Sequence, residues 1–326
     1  PPRRRRCNCC QRSSLPRAAN TARLGSGQGW FSSARPATLS TLPGKGFNPP
    51  LGGGFGRRGG SQDYVRQAAI SAKQFPGVPI KLIWSREEDM LHGRFHPVTM
   101  CKLQGGLDAQ GNLVGLHMRI SGQSIVAGIF PQNIRDGRDP VAFQGLNASG
   151  GEADIGYTIP NLLIDHAMRN PHVPPGFWRG VNLNQNAIYL ECFMDELAHA
   201  AGKDPLAFRQ ALMGNHPRHL AVLNAVAERV GWGRPAAPVN GQAVFRGLAH
   251  THGFGSYVAA CAEVSVSDKG ELKIHRIVAA TDCGHAVNPQ QIEMQVEGSF
   301  VYGLSAALHS ECTVKNGRIE QENFDT

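Results

Sequence analysis

The sequence predicts an α+β fold of mixed sheets with hairpins and packed helices. Three observations favour this class. Two pairs of strand-like segments flank short polar turns, several other segments have helical spacing and caps, and 41% of the 326 residues are hydrophobic, which is ample for a core. A chain of this length predicts two domains, and no run approaches the roughly 20 apolar residues of a membrane helix.

The first elements are a helix over residues 64–75, a strand over 80–84 and a second helix that begins after Ser85. The sequence Ser85-Arg86-Glu87-Glu88 has the form of a capping box, in which Ser and Glu side chains satisfy the first N–H groups of a helix. The acidic cluster 87–89 is therefore interpreted as a helix start and not as a pair of catalytic carboxylates.

The remaining elements follow from turn chemistry and proline position. Residues 130–151 are rich in Gly, Asp and Asn and predict a long surface loop. Asp204-Pro205 predicts a helix start, with a cap and a first-turn proline. The other predicted elements are a hairpin (99–107 and 113–121), a helix (185–201), a second hairpin (257–266 and 272–280) and a helix from Pro289 to about Leu308.

The helix over 185–201 carries two acids one turn apart, Glu191 and Asp195. Ile188, Cys192 and Met194 are expected to face the core. Glu191 and Asp195 are interpreted as a solvated acidic face and not as a catalytic base.

Charge separates the N-terminus from the rest. Residues 1–50 contain eight Arg, one Lys and no acid, which gives them a charge of +9. Because the net charge of the whole chain is +8, residues 51–326 carry −1. This segment lacks periodicity and is predicted to be a disordered or unrelated basic leader. Pro and Gly cluster at 234–242, which predicts domains over 51–240 and 241–326.

No metal site is predicted from the cysteines or histidines. The five cysteines after residue 50 are scattered singly, with no CxxC pair among them, so structural zinc and disulfides are not expected. His92 and His96 have i, i+4 spacing with Cys101 further on, but a fourth ligand is absent and an exposed helix end explains them. Cys283 is interpreted as a packing residue.

Three segments place glycine or proline beside polar groups where a packed element would have apolar residues. They are LGGGFGRRGG (51–60), PPGFWRG (174–180) and DCGHAVNP (282–289), the last followed by QVEG (295–298). Each is a turn that offers main-chain donors to an anionic ligand. The first segment is equally compatible with a flexible linker, or with an RGG-like contact to nucleic acid.

These motifs, in this order over residues 51–326, resemble the molybdopterin-binding large subunit of the xanthine dehydrogenase and aldehyde oxidase family, with the nearer likeness to its isoquinoline oxidoreductase-type branch. ECFMDELA (191–198) and HGFGSYVA (252–259) belong to the same pattern. The resemblance implies two molybdopterin-binding subdomains, incomplete at both ends. Arg57-Arg58 in place of the Gly-Lys of the xanthine dehydrogenase form favours that branch.

The resemblance implies a role for individual residues. The main-chain N–H of Phe55 would bond an oxo ligand of molybdenum, Arg179 would line the opposite side of the metal centre, and Gln295 would contact the pterin. Arg57 either pairs with a cofactor phosphate or is solvated. The implied cofactor-binding set also includes four glycines that permit close approach: Gly53, Gly54, Gly56 and Gly298. Phe55, Arg179 and Gln295 are expected to converge on one site.

The implied activity is hydroxylation of an aldehyde or N-heterocycle with water as the oxygen source. The cofactor would be a molybdenum-bearing molybdopterin, in its cytosine dinucleotide form, and electrons would pass to a separate small 2Fe-2S subunit. The family's catalytic glutamate, in a GxGE motif, lies beyond the counterpart of Thr326, so this chain is expected to be an inactive fragment with no catalytic residue of its own. Compartment and substrate identity do not follow from the sequence.

The alternative function is nucleic-acid binding through the basic N-terminus and the FGRRGG segment. That function predicts a basic folded surface with exposed aromatic residues. The net charge of −1 over residues 51–326 argues against it.

Overall fold

The computed structural model describes residues 20–23, 54, 56, 63–148 and 154–324. These residues form an α+β fold and divide into two compact units. Of the described residues, unit 1 holds those up to His96, His172–Arg179 and those from Cys312, and unit 2 holds Pro97–Pro171 and Gly180–Glu311. These units describe packing, and the domain limits near residue 240 stay a prediction. No described helix is long and apolar enough to cross a membrane.

The described residues of unit 1 form two short helices and two small sheets. Helix α1 (Asp63–Lys73) places Ala68 and Ala72 against strand β2, which runs from Pro79 to Leu82. Strand β1 (Asn20–Arg23) pairs with β2 in antiparallel fashion. The other elements are helix α2 (Arg86–His92), strand β9 (Val314–Lys315) and strand β10 (Arg318–Ile319), the last two forming a hairpin.

The start of α2 confirms the helix start and the cap predicted at Ser85. The Ser85 Oγ accepts a hydrogen bond of 3.2 Å from the backbone N–H of Glu88. Glu87 has a lowered pKa, because its own backbone N–H and the Ser85 hydroxyl favour its charged form. The acidic cluster therefore has the structural role that the sequence predicted.

Unit 2 begins with a three-stranded sheet in the order β3-β4-β5. Strands β3 (Thr99–Leu107) and β4 (Leu113–Gly122) form the predicted antiparallel hairpin, whereas β5 (Leu162–Met168) was not predicted and lies parallel to β4. The crossover between β4 and β5 contains helix α3 (Ile125–Ile129) and two 3-10 turns (Pro131–Asn133 and Pro140–Phe143).

The prediction of a surface loop over residues 130–151 is wrong in its central part. Asp139, Ala142 and Leu146 are buried, and Leu146 belongs to the apolar core. Asp139 accepts a 2.6 Å hydrogen bond from the Ser124 hydroxyl and caps the second 3-10 turn. A buried carboxylate with two donors fixes this segment against the start of α3.

A second sheet, in the order β6-β7-β8, is antiparallel throughout and completes unit 2 together with four helices. The strands are β6 (Phe245–Gly253), β7 (Ser256–Val266) and β8 (Leu272–Asp282). The helices are α4 (Leu183–Ala200), α5 (Pro205–Leu212), α6 (Pro217–Val230) and α7 (Pro289–Leu308). Helix α6 packs across this sheet, α4 contacts β3 and β6, and one apolar cluster fills the space between them.

Candidate functional site

Two of the glycine turns are in direct backbone contact within unit 1. Gly56 has a φ of +88°, and a Cβ atom added to it would overlap the carbonyl oxygen of Phe177 and come within 2.8 Å of the backbone nitrogen of Trp178. Only glycine combines this φ with so close an approach. The structure therefore brings the GGGFG and PPGFWRG segments together, although more than 100 residues separate them.

The residues that hold the second turn were not predicted from the sequence. Phe95 donates its backbone N–H to the Pro174 carbonyl (3.1 Å), and Gly176 donates to the Phe95 carbonyl (2.8 Å). The His96 ring meets the Trp178 ring edge to face at 5.5 Å between centroids. Residues 94–96 lie just after α2, and nothing in their spacing pointed to residues 174–178.

The two remaining residues of the FWRG turn lie at the start of α4. Arg179 is half-buried and is the last residue of the middle stretch of unit 1. Gly180 is the first residue of the second stretch of unit 2. It has a φ of +88°, and a Cβ atom there would overlap the Asn184 side-chain oxygen. The backbone at this junction accepts no larger residue without rearrangement.

Gln295 and Gly298 lie in unit 2, on helix α7. The helix begins after Asn288, whose side-chain oxygen accepts a 3.3 Å hydrogen bond from the Gln291 N–H. Gln295 is exposed and Gly298 is half-buried. Gly53, Phe55 and Arg57 lie outside the described residues, and Gly54 lies within them beside the contact of Gly56. The convergence of Phe55, Arg179 and Gln295 stays a prediction.

The turn that leads into α7 is fixed by Asp282. Arg218 Nε donates to Asp282 Oδ2 (2.8 Å), and the Gly284 N–H donates to Asp282 Oδ1 (3.0 Å). These two donors, the arginine first, lower the pKa of Asp282 to about 2. The Arg218 guanidinium also lies 4.2 Å from the centroid of the Tyr257 ring. One carboxylate thus connects the end of β8, helix α6 and the DCG turn.

The chemistry of these residues fits an anionic, oxygen-rich ligand. The predicted set offers main-chain N–H groups of glycine turns, a guanidinium and a side-chain amide, all of which are hydrogen-bond donors. Among the described residues, no group of three or more His, Cys, Asp or Glu side chains is arranged to hold a metal ion. The residues present thus suit a pterin cofactor that is held by hydrogen bonds.

The interpretation of Glu191 as part of a solvated face is wrong. Glu191 is 5% exposed and accepts hydrogen bonds from Tyr157 OH (2.7 Å), Arg209 Nε (3.1 Å) and the His250 backbone N–H (3.0 Å). Burial raises its pKa, and Arg209 and the other donors oppose that rise. The guanidinium of Arg209 is fully buried and pairs with Glu191 and Asp195.

The expected core face of α4 is displaced as well. Ile188 is 62% exposed and Cys192 is exposed, whereas Met194 is fully buried as expected. The buried face contains six residues: Asn186, Leu190, Glu191, Met194, Leu197 and Ala198. Glu191 occupies a core position because Arg209, Tyr157 and His250 surround it with partners.

Comparison with known proteins gives consistent matches over most of the chain. The sequence pattern of the molybdopterin cofactor-binding domain matches residues 47–213 and, in a second form, residues 200–326. Isoquinoline 1-oxidoreductase subunit beta of Brevundimonas diminuta is 31% identical over 280 residues, which is 85% of this chain and 35% of that relative. The membrane-bound aldehyde dehydrogenase [pyrroloquinoline-quinone] of Gluconacetobacter polyoxogenes is 28% identical over 85% of this chain and 38% of its own length.

Among solved structures, quinoline 2-oxidoreductase of Pseudomonas putida 86 aligns with a TM-score of 0.47 and 17% identity, over 69% of this chain and 32% of that one. The chain spans little more than a third of the length of the two sequence relatives. The two domain matches together extend from residue 47 to residue 326. The chain belongs to the molybdopterin-binding xanthine dehydrogenase family.

Proposed function

We propose that this chain supplies cofactor-binding surface to the large subunit of a molybdenum-dependent hydroxylase. The substrate class is an aldehyde or an N-heterocycle, the cofactor is the cytosine dinucleotide form of molybdopterin, and electrons leave to a small 2Fe-2S subunit. The observation that supports the proposal most directly is the backbone contact between Gly56 and the Phe177–Trp178 peptide. Two turns with the same proposed ligand lie against each other within one compact unit.

When bound, the cofactor supplies the oxidation of an electron-poor carbon with oxygen that comes from water. The chain's own residues bind and orient it. The Phe55 N–H and the neighbouring glycines offer main-chain donors, Arg179 offers positive charge, and Gln295 offers an amide that both donates and accepts. Their part is to place the cofactor and to exclude water from its buried side.

Names of the relatives support the choice of substrate class. One relative is named as an isoquinoline 1-oxidoreductase subunit and another as a nicotinate dehydrogenase subunit of Pseudomonas putida, the latter 26% identical over 76% of this chain and 22% of its own length. Both names specify nitrogen heterocycles. The alternative function, nucleic-acid binding by the N-terminus and FGRRGG, involves residues of which only a few are described.

The test is cofactor content. The 326-residue chain is purified from a host that makes molybdopterin cytosine dinucleotide, and molybdenum, pterin and released CMP are measured per chain. We expect all three in the wild-type chain, a strong loss in Gln295→Leu, and no change in Gln290→Leu, an exposed glutamine on the same helix. A wild-type chain without pterin, or equal content in both variants, contradicts the proposal.

A further inference from the structure

We infer that Arg94 is a positioning residue that holds the 174–179 turn against Gly56, and so fixes the shape of the cofactor-binding surface. The inference rests on the proposed function for its purpose, but its structural part stands on contacts within unit 1. None of the motifs that identify the family includes this arginine. Its side chain touches the turn at two places.

The first contact is a hydrogen bond to the main-chain carbonyl of Pro175, which is buried. Arg94 Nη1 donates to the Pro175 carbonyl oxygen at 3.2 Å. Pro174 and Pro175 have no N–H group, so this part of the turn presents acceptors without donors of its own. A guanidinium is suited to such a site because it carries five donors in one plane.

The second contact is steric and involves the aliphatic stem of Arg94. A Cβ atom added to Gly176 would lie 2.5 Å from Arg94 Cβ, 3.2 Å from Cδ and 3.4 Å from Cγ. The stem therefore fills the space where a side chain at position 176 would be. Gly176 and Arg94 are complementary, in the same way as Gly56 and the Phe177 carbonyl on the following peptide.

The backbone on either side of Arg94 reinforces this arrangement. Phe95 forms an isolated parallel bridge with Pro175, through the hydrogen bonds to Pro174 and Gly176 described above. The turn is thus held at three consecutive residues by the 94–96 segment and is contacted at the next peptide by Gly56. Arg179 follows directly, so the path of its backbone depends on this support.

The Arg94 guanidinium is present at a cost in folding free energy. Its Nε atom is buried without a hydrogen-bond partner, and it forms no ion pair among the described residues. A buried donor without an acceptor costs folding free energy. An apolar side chain of similar length would fill the same space without that cost, but it would leave the Pro175 carbonyl without its donor.

The experiment compares Arg94→Met, which keeps the stem, with Arg94→Lys, which keeps one donor, and with Arg66→Met on the exposed face of α1 as control. Two quantities are measured in the full chain: hydrogen exchange of the Gly176 amide, and pterin per chain. We expect Arg94→Met to speed exchange on the order of tenfold, the factor that loss of one hydrogen bond produces. Pterin content should fall at least as strongly.

Arg94→Lys should recover part of both quantities, and Arg66→Met should match the wild type. Hydrogen exchange of the β7 and β8 amides reports whether unit 2 remains folded. If Arg94→Met unfolds the chain, the same two quantities are compared between Arg94→Lys and Arg66→Met. Wild-type exchange and wild-type pterin content in Arg94→Met would overturn the inference. A wild-type chain that holds no pterin overturns the proposed function instead. Hydrogen exchange of the Gly176 amide then still tests whether Arg94 holds the 174–179 turn.

Discussion

The Nδ1 atoms of His219 and His250 lie 3.2 Å apart in the core of unit 2. Both rings are buried, and in this hydrogen bond one Nδ1 atom donates its N–H and the other accepts. Burial, Arg209 and His216, in that order, lower the pKa of His250 to about 3. His250 is therefore neutral at physiological pH, and Glu191, Tyr157 and Arg209 pack around it.

The first prediction is that His250 makes stability fall as the pH falls. Above pH 6.5 neither state binds a proton at this residue. Between about 6.5 and about 3 the unfolded chain binds a proton that the native chain does not, which costs up to ~1.4 kcal/mol of stability per pH unit. His250→Asn keeps a polar atom near the Nδ1 position and should flatten this dependence.

Urea unfolding at several pH values between 7.5 and 5.5 is the measurement for this prediction. The raised pKa of Glu191 acts with the opposite sign, because the native state then takes up its proton first, but it is common to both proteins. His309→Asn, at an exposed position, is the control. Parallel pH profiles of the wild type and His250→Asn would show that His250 does not act in this way.

The second prediction concerns the two acids that share Arg209. Glu191→Gln leaves the buried guanidinium without its buried partner, which is expected to cost about 3–5 kcal/mol. Asp195→Asn removes the other partner, but Asp195 is 46% exposed, so its pair is screened by water and should contribute below ~1 kcal/mol. The free energy of unfolding in urea gives both values. Equal losses in the two variants would contradict the assignment of Glu191 as the core partner.

Glu191 also shows where sequence reasoning succeeds and where it stops. The helix caps at Ser85 and Asp204 were predicted correctly, because each depends on a residue three positions further along. Ser85 Oγ accepts from the Glu88 N–H, and Asp204 Oδ1 accepts from the Ala207 N–H at 2.9 Å. The partners of Glu191 are 18, 34 and 59 residues away. Spacing along one helix carries no information on such partners, so an acid one turn from another acid resembles a solvated face.

The same limit explains the site. Glycine at positions 56 and 176 was visible in the sequence, but the atoms against which they pack, the Phe177 main chain and the Arg94 side chain, lie in different segments. Strand β5 was missed because its partner β4 is parallel and reached by a long crossover, and such pairing leaves no turn signature. The roles proposed for Arg179 and Gln295 came from family resemblance, and they stay proposals.

The third prediction separates close packing from backbone strain. Gly56→Ala and Gly77→Ala place the same methyl group at similar φ values, +88° and +79°, within unit 1. Both should lose about 1–2 kcal/mol to the left-handed conformation. Only Gly56→Ala also displaces the Phe177 carbonyl, so it should release the 174–179 turn. Hydrogen exchange of the Gly176 amide is the measurement, and similar exchange in both variants would refute the contact.

The fourth prediction concerns the carboxylate before the DCG turn. Asp282→Asn should speed exchange of the Gly284 amide with little loss of global stability, because Asp282 and Arg218 are both more than a third exposed. Because its pKa is lowered, Asp282 stabilises the native state above pH 3.8. This stabilisation is lost as the pH falls through about 2. Asp268→Asn, in the exposed turn at the other end of β8, is the control. An unchanged Gly284 amide would argue against this role.

The division of unit 1 among separate stretches of chain has a consequence for biosynthesis. Arg94 and the proline turn that it supports are 81 residues apart, and a ribosome adds about 5–20 residues per second, so roughly 4–16 seconds separate the appearance of the two. In that interval the β3–β4 hairpin has already emerged and can form. The last stretch of unit 1, from Cys312, is translated later still. A nascent chain therefore cannot present the completed turn early, and loading of a cofactor onto this surface is expected to follow translation.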